Sequence, residues 1–450
     1  MSYENLVEDL PYIKEAINNK NEGYLKNIFD DLYSEDFLPL IYDLDSTQIS
    51  YVLSLLDDET VARIISNLDE DTRHQIFKFF NKHQIAKFIN ELYSDDAADI
   101  LNTFPVKDRE EIISLIEDKE MAMHINELLR YDNDCAGGLM AKELVKANVS
   151  WNIKQTIEEI RLQTENVEKL YTIYVVNDDD MLVGRVSLKK IILSSDNTKI
   201  EEIYEPDILS VETHTDAQEV ADIMQKYDLE TIPVVNMYGK LVGRITVDDV
   251  MDVVKQQAVV DMHAMSGIST HVEEDDTVWK LCKARLPWLI IGIFGGLLGA
   301  FFMGFFEQNL AIVPAMAFFI PLITATGGNV GVQSSSLIVQ SLAQTDTYDT
   351  NHAKRLVKAL LVAIVNGLVI CGLVFVFVIL FQPIKLALVV SLALFFVILL
   401  ASFMGTITPL ILDRFGINPA LASGPFITTA NDLLGIAVYF SIAGLLYNLS

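Results

Sequence analysis

The chain has 450 residues, of which 51% are hydrophobic, and its 33 basic and 62 acidic residues give a net charge of −29. Residues 1–280 carry 26 basic and 57 acidic side chains, whereas residues 281–450 carry seven and five. Phosphate contacts need Lys and Arg, so this balance excludes nucleic acid and favours cations as partners. No nucleophile–base pair, phosphate loop or metal-hydrolase spacing points to an enzyme.

Residues 1–130 are expected to form an all-α domain of stacked short helices. Between about residues 44 and 116, apolar residues recur every 24 positions, and a second series falls halfway between them. Asp or Asn follows many of these positions, as helix caps do, which indicates a helical repeat. The segment Ser94–Asp99 (SDDAAD) is predicted to start one of these helices, where its acids complement the helix dipole.

A second repeat, with a period of 59 residues, predicts two α/β units. Tyr174–Ile191 (YVVNDDDMLVGRVSLKKI) aligns without gaps to Pro233–Val250 (PVVNMYGKLVGRITVDDV). Each copy has an apolar run, a turn-rich loop and another apolar run, which predicts a β-hairpin followed by a helix. The tandem resembles a pair of CBS domains, which we place at 131–200 and 201–250.

CBS domains often bind adenosine nucleotides, and the second copy carries part of the corresponding pattern. Thr246 and Asp249 match the GxxTxxD end of nucleotide binders, whereas Ser187 and Lys190 take those positions in the first copy. Thr246 and Asp249 are therefore the candidate nucleotide residues, and ATP is a candidate regulator.

A connecting helix and linker are predicted over residues 247–280, between the second CBS unit and the apolar part. A rigid helix here could transmit a rearrangement of the soluble domains to the membrane, although a passive linker is the alternative. The apolar stripe that predicts the helix consists of Val247, Val250, Met251, Val254, Ala258 and Met265.

Residues 281–450 are predicted to form a transmembrane domain of five helical spans. The second uncharged stretch is 38 residues long and contains two prolines and Gly327-Gly328, so we predict one broken span with a re-entrant or unwound centre. Most basic residues at the span ends fall on one side, which places the N-terminal domains in the cytosol and the C-terminus outside. The expected spans are Leu286–Phe306, Gln308–Thr345, Ala359–Ile384, Leu386–Leu412 and Ala420–Tyr447.

Four glycines in the first span have overlapping GxxxG spacings, which predict a face of close helix packing. A contact in a dimer and packing in the lipid phase alone fit this pattern equally well. The four are Gly292, Gly295, Gly296 and Gly299.

Asp432 is the one ionisable residue in the last span. A carboxylate near the middle of a membrane costs several kcal/mol unless it faces water, a cation or a partner. Thr428 lies one turn earlier on the same helix face and Asn431 is adjacent, while Pro419 and Pro425 interrupt the helix and free carbonyl groups. We favour an ion site over the alternative, a hydrogen-bonded Asp at a helix interface.

The order of these parts, together with three motifs, is similar to the MgtE family of magnesium channels and transporters over nearly the full chain. The motifs are Tyr131–Met140 (YDNDCAGGLM), Thr326–Leu337 (TGGNVGVQSSSL) and Asn418–Gly435 (NPALASGPFITTANDLLG). The resemblance implies a multi-pass homodimer in the cell membrane, with a pore on the two-fold axis. It also implies import of Mg²⁺ down its electrochemical gradient. Mn²⁺, Co²⁺ and Ni²⁺ are alternative ions, because they share oxygen-ligand chemistry with Mg²⁺ in part.

The resemblance further implies two sets of site residues. Cytosolic Mg²⁺ would bridge acids of the N domain, the CBS pair and the connecting helix and so close the pore, and hydrated Mg²⁺ would pass the family's pore acid. By the motif matches, the regulatory metal residues are Asp95, Asp99, Asp228, Asp249, Asp252 and Asp261, and the pore residues are Asp432, Asn431, Thr428, Asn329 and Asn418.

This chain departs from the family where regulation is expected. Asn418 stands where the family commonly has Asp, and Lys255, Gln257 and Val260 lie on a connecting helix that is usually rich in acids. Fewer carboxylates predict that the pore closes at a higher internal Mg²⁺ concentration than in a typical relative, or closes poorly.

Two other functions remain open at this point. A Na⁺- or H⁺-coupled divalent cation transporter would fit the same spans, and flux without a Na⁺ or pH gradient would separate it from a channel. The second alternative function is a membrane-anchored CBS nucleotide sensor. Asp432 argues against it, because a carboxylate within a membrane span is costly and would not be needed in a helix that serves only as an anchor.

Overall fold

The computed structural model describes residues 3–29, 32–164, 167, 169–270, 272, 276–343 and 352–447. The chain divides into two compact units, Met1–Val253 and Val254–Ser450, and the division falls within one long helix.

Short helices fill the N-terminal part of the first unit, as predicted, and Asx side chains define where several of them begin. Asp45, Asp57, Asp69 and Asn81 each cap the following helix, at intervals of 12 residues. This interval is half of the 24-residue sequence period, so each repeat consists of two helices. The helices are α1 (Tyr3–Asn18), α2 (Glu22–Phe29), α3 (Phe37–Tyr42), α4 (Ser46–Leu53), α5 (Asp58–Ser66), α6 (Glu70–Phe77), α7 (Lys82–Asn90), α8 (Ser94–Asn102), α9 (Val106–Leu115) and α10 (Lys119–Leu128).

Two three-stranded sheets follow, each with one parallel and one antiparallel pair of strands. Both predicted hairpins and the helices beside them are present, whereas the short first strand of each sheet was not predicted. The elements are α11 (Ala136–Leu139), β1 (Val145–Asn148), α12 (Ile153–Gln163), β2 (Ile173–Val176), β3 (Leu182–Val186), α13 (Leu188–Leu193), β4 (Val211–Glu212), α14 (Ala217–Lys226), β5 (Thr231–Val235), β6 (Leu241–Thr246) and α15 (Val247–Met265).

The two sheets belong to different apolar cores. One continuous core extends from the short helices to the second sheet, where it includes Ile232, Val234 and Ile245. The first sheet has its own core around Ile173 and Val175. The second α/β half is therefore packed with the helical repeat, which places the start of α15 beside the repeat helices.

Helix α15 carries the predicted apolar stripe, but most of the stripe is exposed. Val250 is 4% exposed, whereas Val247 and Met251 are 40% and 49% exposed. The amphipathic pattern therefore predicted the helix correctly without defining a buried face along it.

The second unit contains, among its described residues, five helices long and apolar enough to cross a membrane, as predicted. Helix α20 is the most buried of the five and contacts α18, α19 and α21, while α16 contacts α21. The helices are α16 (Val278–Gly304), the short α17 (Glu307–Ile312), α18 (Ile320–Ala343), α19 (His352–Ile379), α20 (Ile384–Arg414) and α21 (Pro425–Tyr447).

The second span is interrupted, as predicted, but the interruption lies near its start, and the expected re-entrant or unwound centre is not observed in the described part of this span. The interruption is a 3₁₀ segment at Pro314–Phe319, and α18 continues without a break through Gly327 and Gly328. Proline lacks an N–H group and ends the hydrogen-bond ladder, whereas glycine keeps its N–H. Side chains of Val397 and Thr428 lie within 3.5 Å of the positions where Cβ atoms of these glycines would lie.

Candidate functional site

Asp432 lies on α21, two turns after the helix begins at Pro425. Its side chain is partly exposed, and in the described part of the chain it has neither a hydrogen-bond partner nor an ion pair. Gly328 of α18 faces it, since a Cβ at this position would lie 3.9 Å from Oδ1 of Asp432. The interpretation of Asp432 as a hydrogen-bonded residue at a helix interface therefore lacks the required partner.

Thr428 lies on the same face of α21, one turn before Asp432. Its hydroxyl donates a hydrogen bond to the carbonyl oxygen of Pro425 at 3.0 Å, which leaves oxygen lone pairs available to a cation or water. A Cβ on Gly328 would lie 3.5 Å from the Thr428 methyl carbon, so this glycine allows α18 to approach both polar residues.

Asn431 points in a different direction from Asp432, because consecutive helix residues are about 100° apart. It is 2% exposed, and among the described residues neither atom of its amide has a hydrogen-bond partner. A Cβ on Gly331 would overlap its Nδ2 atom, so the amide fits against α18 only because that residue is glycine. The structure thus places the Asn431 amide between α21 and α18, and not on the face of α21 that carries the partly exposed Asp432 carboxylate.

The other two predicted pore residues lie outside this group. Asn329 is exposed on α18. Asn418 caps the 3₁₀ segment Pro419–Ala422, where its Oδ1 accepts a hydrogen bond from the Ala420 amide at 2.8 Å. The Nδ2 of Asn418 donates to Oδ1 of Asp261 at 2.9 Å, so the structure brings together one predicted pore residue and one predicted regulatory residue.

A cluster of carboxylates, which we call the acidic cluster, lies in the first unit and consists of Asp95, Asp96 and Asp99 on α8 with Asp249 at the start of α15. Burial is the main cause that raises the pKa of Asp95 well above its ordinary value, and the charges of Asp249 and Asp96 raise it further. Burial also raises the pKa of Asp96 and of Asp99 to about 6, with Asp249 adding to both shifts. The side chains of Asp96 and Asp99 keep solvent contact, so surrounding protein weakens their hydration without enclosing them.

Asp249 connects this cluster to the end of β6. Its Oδ2 accepts hydrogen bonds from the backbone N–H and the hydroxyl of Thr246, at 3.0 and 2.6 Å. Burial raises the pKa of Asp249, and these two hydrogen bonds partly oppose that shift. The two residues matched to nucleotide binding are therefore bonded to each other, and Asp249 faces the other acids of the cluster.

Sequence reasoning missed three residues: Asp96, Arg73, and Asp248, whose charge adds to the raised pKa of Asp96 and of Asp249. Asp96 follows the predicted Asp95 in SDDAAD, and Asp248 precedes the predicted Asp249 in VDDV. Their positions next to predicted residues were the one feature of the sequence that pointed to them. Arg73 donates hydrogen bonds to the carbonyl oxygens of residues 65, 66 and 68, and its charge opposes the raised pKa of Asp96 and of Asp99. Nothing in the sequence pairs Arg73 with α8.

The remaining predicted regulatory residues are not part of the cluster. Asp228 follows α14 in a left-handed conformation (φ 51°) and is exposed, and Asp252 is exposed on α15. Across the described residues, no group of three or more His, Cys, Asp or Glu side chains is arranged to hold a metal ion directly. A cation at the acidic cluster would bind through water or after a rearrangement of these side chains.

A separate cavity of about 350 Å³ lies between the two sheets' hairpins. The hydroxyl of Tyr174 is 3.1 Å from that of Thr231 at its edge, and burial raises the pKa of Tyr174. Neither Thr246 nor Asp249 lines it. Its lining includes Thr172, Tyr174, Arg185, Asp207, Tyr227 and Thr231.

Comparisons with known proteins match all three regions. Residues 320–442 match the family model of MgtE divalent cation transporters, residues 32–134 match that of the MgtE intracellular N domain, and residues 200–256 match the CBS domain. The chain is 31% identical over 443 residues to the magnesium transporter MgtE of Thermus thermophilus, covering 96% of this chain and 97% of that protein. It is 33% identical to the magnesium transporter MgtE of Enterococcus faecalis over 72% of each chain.

Two solved structures match about half of this chain. A crystal structure of the soluble part of a magnesium transporter has a TM-score of 0.50 and 26% identity, covering 56% of this chain and 99% of that one. The cytosolic domain of the Mg²⁺ channel MgtE in complex with ATP has a TM-score of 0.51 and 31% identity, covering 53% of this chain and 98% of that one.

Proposed function

This chain belongs to the MgtE family of magnesium transporters, and from that premise we propose that it is a channel through which Mg²⁺ enters the cell past Asp432, down its electrochemical gradient. The observation that carries the proposal is the partly exposed Asp432 carboxylate within a membrane helix, without a partner among the described residues. Such a group is costly unless water or a cation faces it. A passing divalent cation with its water shell supplies that compensation.

The ligand chemistry around Asp432 suits a hydrated ion. Mg²⁺ demands octahedral oxygen coordination and releases water reluctantly. Asp432 and Thr428 offer few direct ligands, so contact through water favours a divalent ion without trapping it. Mn²⁺, Co²⁺ and Ni²⁺ are the competing ions, because they share oxygen-ligand chemistry in part.

We place this multi-pass membrane protein with its N-terminal domains in the cytosol and its C-terminus outside, as a homodimer with Asp432 of each copy facing a common pore. Support for a partner surface comes from α16. Gly292 and Gly296 have no atom within 4 Å of the position where a Cβ would lie. This small-residue face is open to a second copy or to lipid.

Cytosolic Mg²⁺ acts in our proposal as the closing signal, through the acidic cluster of the first unit. The raised pKa of each of its acids reflects the cost of crowding carboxylates in a poorly hydrated place. A divalent cation relieves that cost and draws α8 and the start of α15 together, whereas its loss lets the acids repel one another. Asp228 and Asp252 are assigned a lesser role because they lie outside the cluster.

ATP is proposed as a regulator that binds in the cavity between the hairpins. Tyr227, which is 50% exposed, offers a surface for an adenine ring. The Arg185 guanidinium donates from Nε to Glu205 at 3.2 Å and has further N–H groups for phosphate. The relative whose cytosolic domain is in complex with ATP supports this proposal. Thr246 and Asp249 are not assigned to it, since they are bonded to each other and do not line the cavity.

The test is Mg²⁺ influx into liposomes that contain the full-length protein, without a Na⁺ or pH gradient. We expect flux for the wild type and at least a tenfold loss for Asp432→Ala, the factor that corresponds to about 1.4 kcal/mol. Asp413→Asn, which removes an exposed carboxylate at the end of α20, is the matched control and should retain flux. Unchanged influx in Asp432→Ala would falsify the pore assignment, and a requirement for a Na⁺ or pH gradient would indicate coupled transport.

A further inference from the structure

The carboxylate of Asp261, in the last turns of α15, accepts two amide hydrogen bonds within the second unit. Nε2 of Gln257, one turn earlier on the same helix, donates to Oδ1 of Asp261 at 2.8 Å. Nδ2 of Asn418 donates to the same oxygen at 2.9 Å. Asn418 directly precedes the 3₁₀ segment that leads into α21, so this second bond joins the connecting helix to the start of the helix that carries Asp432.

The orientation of the Asn418 amide follows from its other contact. The Ala420 N–H can only donate, and it lies 2.8 Å from Oδ1 of Asn418, so the NH₂ group must be the one that faces Asp261. An aspartate here could still cap the 3₁₀ segment, but its second oxygen would face the Asp261 carboxylate. Two carboxylates at hydrogen-bond distance need a cation or a shared proton between them, whereas an amide and a carboxylate need neither.

Apolar and backbone contacts hold the same two segments together. Ala264 and Ala420, which are 5% and 0% exposed, share a small apolar cluster with Val339 of α18. A Cβ on Gly424 would lie 3.3 Å from the carbonyl oxygens of residues 264 and 265, so the chain approaches the end of α15 closely at this glycine. None of these contacts requires a metal ion.

We propose that Gln257, Asp261 and Asn418 form a clasp that holds the end of α15 on the start of α21 without Mg²⁺. Asp261 then serves this chain as a hydrogen-bond acceptor and not as a metal ligand. The inference rests on the proposed gating by Mg²⁺, and it limits the Mg²⁺-dependent rearrangement to other parts of the chain. The end of the connecting helix stays docked whether the ion is present or absent.

Hydrogen exchange of residues 254–265 in the full-length protein, followed by mass spectrometry in excess Mg²⁺ and in EDTA, tests the clasp. In the wild type we expect similar protection in the two buffers. In Asn418→Asp, exchange in EDTA should be about tenfold faster, the factor expected for loss of one hydrogen bond to a charged group, and Mg²⁺ should restore the protection.

Gln257→Glu is a second variant that also places a carboxylate against Asp261, and it should acquire the same response to Mg²⁺. Gln256→Glu adds the same charge at the exposed neighbouring position and should exchange like the wild type. The clasp is refuted if wild-type protection in this segment collapses in EDTA, or if Asn418→Asp and Gln257→Glu ignore Mg²⁺. Because exchange does not depend on transport, these outcomes are distinct from a failure of the Asp432 assignment.

Discussion

Asp96 and Asp99 determine how the first unit should respond to pH. Their pKa of about 6 in the folded chain, raised mainly by burial, compares with 3.8 for the unperturbed side chain. Between these values the folded state binds more protons than the unfolded state, so stability falls as the pH rises from about 4 to about 6. Above about pH 6 both carboxylates are ionised and repel each other, and a bound divalent cation would reduce this repulsion.

The rise in Tm on adding Mg²⁺ should therefore be larger at about pH 7.5 than at about pH 5, where protons already neutralise the cluster. Asp99→Asn should raise Tm in EDTA by a few degrees and reduce the gain from Mg²⁺. Thermal unfolding of the full-length protein measures both effects. Asp58→Asn, at an exposed first-turn position of α5, is the control. An equal Mg²⁺ response at the two pH values would argue against the cluster as the Mg²⁺ site.

The four glycines of the first span were predicted to form one packing face, but only two of them lie where α16 meets α21. A Cβ on Gly295 would overlap the methyl group of Thr429, and one on Gly299 would lie 3.9 Å from Leu433. Gly292 and Gly296, on the adjacent face, have open space. The overlapping GxxxG spacings thus contain one face that packs within the chain and one that does not.

Gly295→Ala should push α16 away from α21 next to Asp432, at a cost of about 1–3 kcal/mol for overpacking. We expect a lower Tm in detergent and weaker Mg²⁺ influx for this variant. Gly372→Ala changes an exposed glycine of α19 that has open space around it, so it is the control and should leave the Tm and the influx unchanged. Gly296→Ala, on the face of α16 that we propose for the second copy, should instead shift the protein from dimer to monomer, which its oligomeric state in detergent measures. If Gly295→Ala and Gly372→Ala lose stability equally, the packing of α16 on α21 does not depend on Gly295.

For the whole molecule, the net charge of −31 on residues 1–280 favours control by cations, but Lys255, Gln257 and Val260 provide no carboxylate at three positions of the connecting helix. We predict that influx continues at internal Mg²⁺ concentrations that close a typical relative. Liposomes loaded with increasing Mg²⁺ measure the half-closing concentration. Lys255→Glu combined with Val260→Glu should lower it several-fold, and wild-type closure at submillimolar internal Mg²⁺ would contradict the prediction.

Much of the architecture was predictable because it depends on local patterns. The 24-residue and 59-residue periods and the apolar stretches each report neighbours along the chain, and they predicted the short helices, the hairpins and the five spans. Strands β1 and β4 were missed because they are four and two residues long and pair with strands distant in sequence. Asp432 was found because a lone carboxylate in an apolar run is conspicuous without any knowledge of its neighbours.

The interaction partners of the polar side chains could not be predicted from the sequence, because they depend on which helices contact each other in the fold. Arg73 acts on acids of α8, and Asp261 accepts a hydrogen bond from Asn418, 157 residues further along the chain. A repeat in the sequence cannot predict a contact between residues so far apart in the chain, because hydrogen bonds and charges depend on distances of a few ångströms in space. Composition and spacing were therefore sufficient to predict the membrane helices and to single out Asp432 as a lone carboxylate, whereas only the tertiary structure revealed that Asp261 already has its partner.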